Sequence, residues 1–95
     1  MSQHIGIGIG KYRKRDYQEI LRLSEDRESM DQTWSEWKAN KNRALKNFQK
    51  MGLKVLDVVI LPIELVTYCR VNGMRINGES RSKFVSYKFG ELNKR

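Results

Sequence analysis

The densest run of hydrophobic positions lies in the middle of the chain, from Leu53 to Leu61. It is rich in β-branched residues and is bounded by Gly52 and Pro62, a pattern that predicts one β-strand. A lone strand leaves backbone donors and acceptors unpaired, so it needs a neighbour, either residues 5 to 9 or a second copy of the chain. Alternating glycines weaken residues 5 to 9 as a strand, so we expect a second copy and an antiparallel ribbon across a two-fold axis. The ribbon positions would be Val55, Asp57, Val59 and Leu61.

Apolar residues at helical spacing predict two helices after this strand. The first begins at Pro62, a residue suited to a first helical turn, and stops before Asn72 and Gly73. The second carries an apolar stripe from Phe84 to Leu92, with Ser80 as its expected cap.

Two further helices are predicted before the strand. Asp16 can cap a short one, in which apolar and small residues recur at helical spacing. A longer helix begins at a capping box, either Ser29 with Gln32 or Thr33 with Glu36, and runs to about residue 51. Acidic residues crowd its start and basic residues its second half, in agreement with the helix dipole. Its apolar stripe, which we expect to pack on the strand, has one interruption, at Lys41.

The second half of the chain resembles the ribbon-helix-helix family over about residues 53 to 92. The matching features are Leu61-Pro62 closing the strand, Glu64-Leu65 in the first helical turn, Gly73 at the bend and Ser80-Arg81-Ser82 opening the last helix. The resemblance implies a ribbon of two paired strands above four intertwined helices, and operator DNA binding as a repressor or as the DNA-binding part of an antitoxin.

These patterns together predict an α+β, mostly helical fold, in which a long N-terminal helix precedes a strand-helix-helix unit in an intertwined dimer. Residues 1 to 15 are expected to form a flexible basic arm, with a real edge strand as the alternative. Residues 16 to 95 are expected to form a single domain, with a helical extension at 16 to 51 and the ribbon-helix-helix-like core at 53 to 92.

The charge distribution favours a polyanionic partner. The chain has 19 basic and 11 acidic residues, a net charge of +8, and the surplus lies in residues 1 to 15 and 37 to 95, whereas residues 16 to 36 are acidic. Candidate phosphate contacts are the cluster Arg13, Lys14 and Arg15, and the start of the last helix, where backbone donors beside a basic residue can hold an anion. The residues at that helix start are Ser80, Arg81 and Lys83.

A protein partner is the alternative to nucleic acid. Both faces of the predicted strand are apolar, which suits a module that does not read DNA bases. The partner would dock on the acidic segment 16 to 36 or on Trp34 and Trp37, although two tryptophans at helical spacing also suit core packing.

Catalysis, cofactor binding and metal binding are not expected. The sequence offers no serine, histidine and aspartate set, and its single histidine, His4, and single cysteine, Cys69, are far apart. Cys69 lies on an apolar stripe, where we expect a buried structural thiol. The sequence shows no secretory signal and no apolar run long enough to span a membrane, so we expect a cytoplasmic protein.

Overall fold

The computed structural model describes residues 6 to 92, which contain two strands and four α-helices. In chain order they are β1 (Gly6–Lys11), α1 (Lys14–Leu23), α2 (Trp34–Lys50), β2 (Lys54–Val59), α3 (Pro62–Val71) and α4 (Gly78–Leu92), with a single 3-10 turn, Arg27–Ser29, between α1 and α2. The strands lie side by side in one parallel sheet, with Gly6 opposite Lys54 and Lys11 opposite Val59.

The predicted fold class is wrong. The described chain begins with a strand and follows the order β-α-α-β-α-α, instead of a long helix followed by a strand-helix-helix unit. β2 pairs in parallel with β1 of the same chain, so the reason for expecting an intertwined ribbon, that no internal partner existed, is removed. Val55, Asp57 and Val59 lie opposite residues of β1, and Leu61 lies outside β2, at the N-cap of α3.

The alternating glycines that made β1 look weak are what lets α4 approach it. A Cβ atom added at Gly8 would lie 2.7 Å from Cγ of Phe89, and one added at Gly10 would lie 2.8 Å from Cδ1 of Ile60. Both distances are shorter than van der Waals contact, so any larger residue would push the helix or the neighbouring side chain away. Residues 6 to 11 form a strand, which was the alternative to a flexible arm.

The two faces of the sheet carry different helices. Residues opposite one another in a sheet point to the same face, so Gly8 and Leu56 face α4, whereas Ile9 and Asp57 face the other way. α2 lies on that second side, where the Lys41 ammonium contacts the Asp57 carboxylate. The core forms where the sheet, α1, α3 and α4 meet, and its buried members are Tyr12, Tyr17, Ile20, Val58, Ile60, Leu65, Cys69, Phe84 and Val85.

Local capping signals in the sequence set several helix boundaries correctly. Thr33 and Glu36 form the capping box of α2, which removes the alternative start at Ser29. Gly52 after α2 and Gly73 after α3 have φ of +77° and +64°, the left-handed conformation that glycine adopts without strain. Asp16 does not cap α1; it lies in the first turn and accepts a hydrogen bond from Arg13, which occupies the N-cap position.

Some expectations fall on residues 1 to 5 and 93 to 95, which lie outside the described residues. They include the first five residues of the predicted arm, with His4, and the last three residues of the predicted domain. Among residues 6 to 92, none of the helices combines the length and the hydrophobicity that crossing a membrane requires.

Candidate nucleic-acid interface

The anion site expected at the start of α4 is filled by the protein's own carboxylate. The backbone N–H of Gly78 donates to Oδ2 of Asp26 at 3.0 Å. Arg81 adds two parallel hydrogen bonds, from Nη1 to Oδ1 at 2.9 Å and from Nη2 to Oδ2 at 2.8 Å. Asp26 thus holds the position that a bound phosphate would take at a helix N-terminus.

Arg81 is directed inward and is only 9% exposed. Its Nη1 also donates to the Ser24 hydroxyl, at 2.9 Å, and Ser24 is fully buried. The hydrogen bonds from Arg81 hold the pKa of the Asp26 carboxyl below its usual value. The guanidinium therefore joins α4 to the loop after α1 and is not available to a ligand at the surface.

Ser80 and Lys83 have different environments from each other. Ser80 is buried, and its hydroxyl accepts from the Asn77 backbone N–H while the Asn77 side chain accepts from the Ser80 N–H, so Asn77 is the residue that caps α4. Lys83 is exposed, with Nζ 3.3 Å from the Glu79 carboxylate. Of the three residues expected to hold a phosphate here, Lys83 alone has its side chain at the surface.

The basic cluster of residues 13 to 15 lies where α1 begins. The Arg13 guanidinium pairs with the Asp16 carboxylate, and the Lys14 ammonium is 6.0 Å from the centre of the Trp34 ring. Arg15 is exposed, as is Lys14. Two of the three charges are therefore accessible from solvent without breaking an ion pair.

Trp34 and Trp37 are half-buried and pack against the core. The Trp34 indole N–H donates to the Tyr12 carbonyl at 2.8 Å, which ties the start of α2 to the end of β1. The Trp37 ring lies 5.1 Å from the Tyr12 ring, edge to face, and 6.2 Å from the Tyr17 ring. Burial raises the pKa of Tyr17 to about 12, as expected for a phenol within this aromatic cluster.

α2 carries an exposed basic face that the sequence analysis did not treat as a site. Arg43, Lys46 and Lys50 recur at positions i, i+3 and i+7, so they lie along one side of the helix, and all three are exposed. The Arg43 guanidinium donates a hydrogen bond to the side-chain oxygen of Asn40. Within residues 6 to 92, none of the three basic side chains forms an ion pair.

On the opposite side of α2, Lys41 is a basic residue that faces β2 and is buried. Lys41 is only 7% exposed, and its Nζ lies 2.7 Å from Oδ1 of Asp57 and 5.3 Å from the centre of the Trp37 ring. The predicted interruption of the apolar stripe is thus a buried lysine paired with β2. The bases of α2 are thus this buried, paired lysine, the half-buried Lys38 and the exposed set on the far side.

The sequence contains a signal for this face. Between Trp37 and Leu56 there are six basic residues and no acidic one. A helix whose charges only keep it soluble usually mixes both signs, because pairs of opposite charge three or four residues apart stabilise it. Exposed amides lie among the basic residues, at Asn42, Asn47 and Gln49.

Comparison with known proteins gives no relative for this chain: no protein-family model, no curated protein and no solved structure matches it.

Proposed function

We propose that this protein binds nucleic acid, mainly through phosphate contacts from the exposed basic face of α2. The observation that carries the proposal is the row of Arg43, Lys46 and Lys50 on one side of a 17-residue helix, three exposed cations that form no ion pair with the carboxylates of residues 6 to 92. The net charge of +8 supports it, because an excess of positive charge attracts a polyanion over distance.

The dimensions of the helix suit such contacts. Arg43 and Lys50 are seven residues apart, which corresponds to roughly 10 Å along a helix rising 1.5 Å per residue. A duplex carries one negative charge for about every 1.7 Å of its axis, so this row faces several phosphates at once. Phosphate contacts of this kind give affinity and position, whereas sequence preference requires contacts to base edges.

Lys14 and Arg15 supply a second patch of exposed positive charge at the start of α1. Of the arm residues that the structure describes, 6 to 15, these two have exposed side chains, whereas Arg13 is paired with Asp16. We assign them a secondary role, because this patch has two exposed cations and the face of α2 has three.

The test is duplex binding measured at several salt concentrations. Replacing Arg43, Lys46 and Lys50 together with Gln should weaken binding at low salt for all sequences alike. It should also flatten the dependence of log affinity on log salt by about 0.9 for each lost phosphate contact, or roughly 2.7 in total. Fluorescence anisotropy with labelled duplexes of unrelated sequence measures both quantities.

A matched control removes the same charge from another part of the molecule. Arg22, Arg70 and Arg75 are exposed and lie outside α2, and changing all three to Gln lowers the net charge by the same amount. The change also removes two exposed ion pairs, Arg22 with Glu19 and Arg75 with Glu25. The control should retain most of the salt slope. Equal losses in both variants would mean that the affinity comes from overall charge and not from the α2 face.

The second candidate function is a protein-interaction module that does not bind DNA. An exposed apolar groove between α3 and α4, with Ile63 and Val71 on its rim, is the observation in its favour. No detectable duplex binding at low salt by the wild-type protein would contradict the nucleic-acid proposal and favour this alternative. A strong preference for one duplex sequence would contradict the view that phosphates supply most of the contacts.

A further inference from the structure

The exposed side of α2 also carries amide side chains that the fold does not use. Asn42 and Gln49 are exposed, and their side chains form no hydrogen bond within the described chain. Asn40 differs, because its amide nitrogen donates to both oxygens of the Asp31 carboxylate at 3.0 Å and its amide oxygen accepts from Arg43. Asparagine disfavours a helix interior, because its side chain competes for backbone hydrogen bonds. Asn42 therefore weakens α2 without an internal contact in return, a pattern expected where a side chain serves binding.

These amides lie beside the cation row, which consists of Arg43, Lys46 and Lys50. At about 100° per residue, Asn42 and Gln49 lie roughly 40° and 60° round the helix from Lys46, both in the same direction. The two amides are as far apart in sequence as the two ends of the row, so amides and cations run parallel for about 10 Å. α2 therefore presents a row of cations and, next to it, two amide groups that can each donate and accept a hydrogen bond.

The two flanks of the cation row carry opposite charge. Glu36 and Asn47 lie about 80° and 100° round the helix from the middle of the row, on the flank away from Asn42, and both are exposed. The Asp31 carboxylate lies on that flank too, where an amide of α2 holds it. On the flank of Asn42 the neighbouring charged residue is Lys38, which is half-buried. Carboxylates repel phosphates, so a nucleic acid held by the row extends over the flank of Asn42.

The side chains of this face suit duplex DNA better than other nucleic acids. Proteins that hold single strands stack the bases on aromatic side chains, whereas the aromatic residues of α2, Trp34, Trp37 and Phe48, are half-buried on its inner side. In duplex RNA the major groove is too deep and narrow for side chains to read. The major groove of B-form DNA is about 12 Å wide and admits a helix. B-form DNA is thus the nucleic acid that the cations and the amides can contact together.

We infer, on the basis of the nucleic-acid function proposed above, that α2 binds B-form DNA along its major groove, with Asn42 and Gln49 on base edges and the cation row on the phosphates of one strand. The pairs under the amides are A·T, because an amide nitrogen donates to adenine N7 while the amide oxygen accepts from the N6 amino group. The spacing of about 10 Å corresponds to about three base pairs at 3.4 Å each. Phosphates supply most of the affinity, and the amides add a moderate preference for A·T pairs.

The test compares binding, by fluorescence anisotropy, to duplexes of equal length made of A·T pairs alone or G·C pairs alone. The wild type should bind the A·T duplex about fivefold more tightly, the lower end of what a base contact contributes. Changing Asn42 and Gln49 together to Ala should remove this preference and leave the salt slope as it is, because no charge is lost. Replacing adenine with 7-deazaadenine removes the N7 acceptor from the major groove. It should weaken binding by the wild type about fivefold and leave binding by the double variant unchanged.

Asn47→Ala is the matched control. It removes an exposed amide from the same helix, on the flank away from the DNA, and should keep the preference for A·T pairs. Alanine favours a helix, so all these variants should fold, which far-UV circular dichroism checks. A wild type without the preference, a double variant that keeps it, or an equal loss in Asn47→Ala would overturn the inference and leave the phosphate contacts standing. No duplex binding at low salt would instead remove the proposed function, and the base contacts with it.

Discussion

Two of the basic residues on the outer face of α2, Arg43 and Lys46, and Arg81 at the start of α4 have opposite environments. Arg81 is buried and held by Asp26 and Ser24. Arg43 and Lys46 are exposed and make no ion pair within the described chain. The comparison shows that a basic residue near a helix start is not in itself an anion site: what matters is whether the fold has already supplied the anion.

The largest expected effect concerns the charge that is already paired. Asp26→Asn would leave the Arg81 guanidinium buried without its carboxylate, and we expect it to lower the free energy of unfolding by about 2 to 3 kcal/mol. Urea unfolding followed by circular dichroism measures the change. Glu79→Gln is the control, because it removes a carboxylate from the first turn of α4 whose pair with Lys83 is exposed, and it should cost less than about 0.5 kcal/mol.

The same contact gives a pH dependence of known sign. Hydrogen bonds from Arg81 lower the pKa of Asp26 in the folded protein from its ordinary 3.8. Such a group stabilises the fold fully above its ordinary pKa, and that stabilisation is lost as the pH falls through the lower, folded-state pKa. The wild type should therefore lose stability more steeply than Asp26→Asn below about pH 4. Parallel curves for the two proteins in acid would show that Asp26 is not the group responsible.

A smaller effect is expected at the pair that lies between α2 and β2. Asp57→Asn would remove the charge opposite the buried Lys41 ammonium, at a cost of about 1 to 2 kcal/mol, because Asp57 is itself 45% exposed and water can replace part of the contact. Lys41→Met should cost less than Asp57→Asn, since a flexible apolar side chain of similar length can fill the same space. Chemical denaturation of the two single variants tests the order, and the reverse order would show that the ammonium is well solvated without Asp57.

Sequence reasoning placed elements well where the deciding contact is local. The capping box of Thr33 and Glu36 and the glycines after α2 and α3 involve residues at most a few positions apart, so their signal is visible in a short window. The strand at Lys54–Val59 and the burial of Cys69 were predicted for a similar reason, since each follows from the periodicity of its own segment.

The features that the sequence did not predict depend on contacts between distant segments of the chain. The alternating glycines of β1 weaken a strand in isolation, and only the approach of Phe89 to Gly8 shows why they are there. Arg81 lies 55 residues from Asp26, and no local pattern links the two. The candidate site therefore differs from the predicted one. The anion site predicted at the start of α4 is occupied by Asp26. The basic residues of α2, which the sequence analysis explained by the helix dipole, form the exposed basic face.

The smallest effect on stability is expected where the proposed effect on binding is largest. Arg43, Lys46 and Lys50 touch no carboxylate in the described chain, so changing them to Gln removes no ion pair. It also relieves like-charge repulsion between residues three and four positions apart, worth about 0.2 to 0.5 kcal/mol for each pair in a helix. The variant also loses the favourable interaction of Lys50, in the last turn, with the helix dipole, worth about 0.3 to 1 kcal/mol. The two effects oppose each other, so the triple variant should be about as stable as the wild type at low and at high salt. Thermal unfolding at low and high salt measures the stability of the variant. A loss of more than about 1 kcal/mol would mean that these three side chains stabilise the fold, as Arg81 does, and would contradict the difference drawn between them.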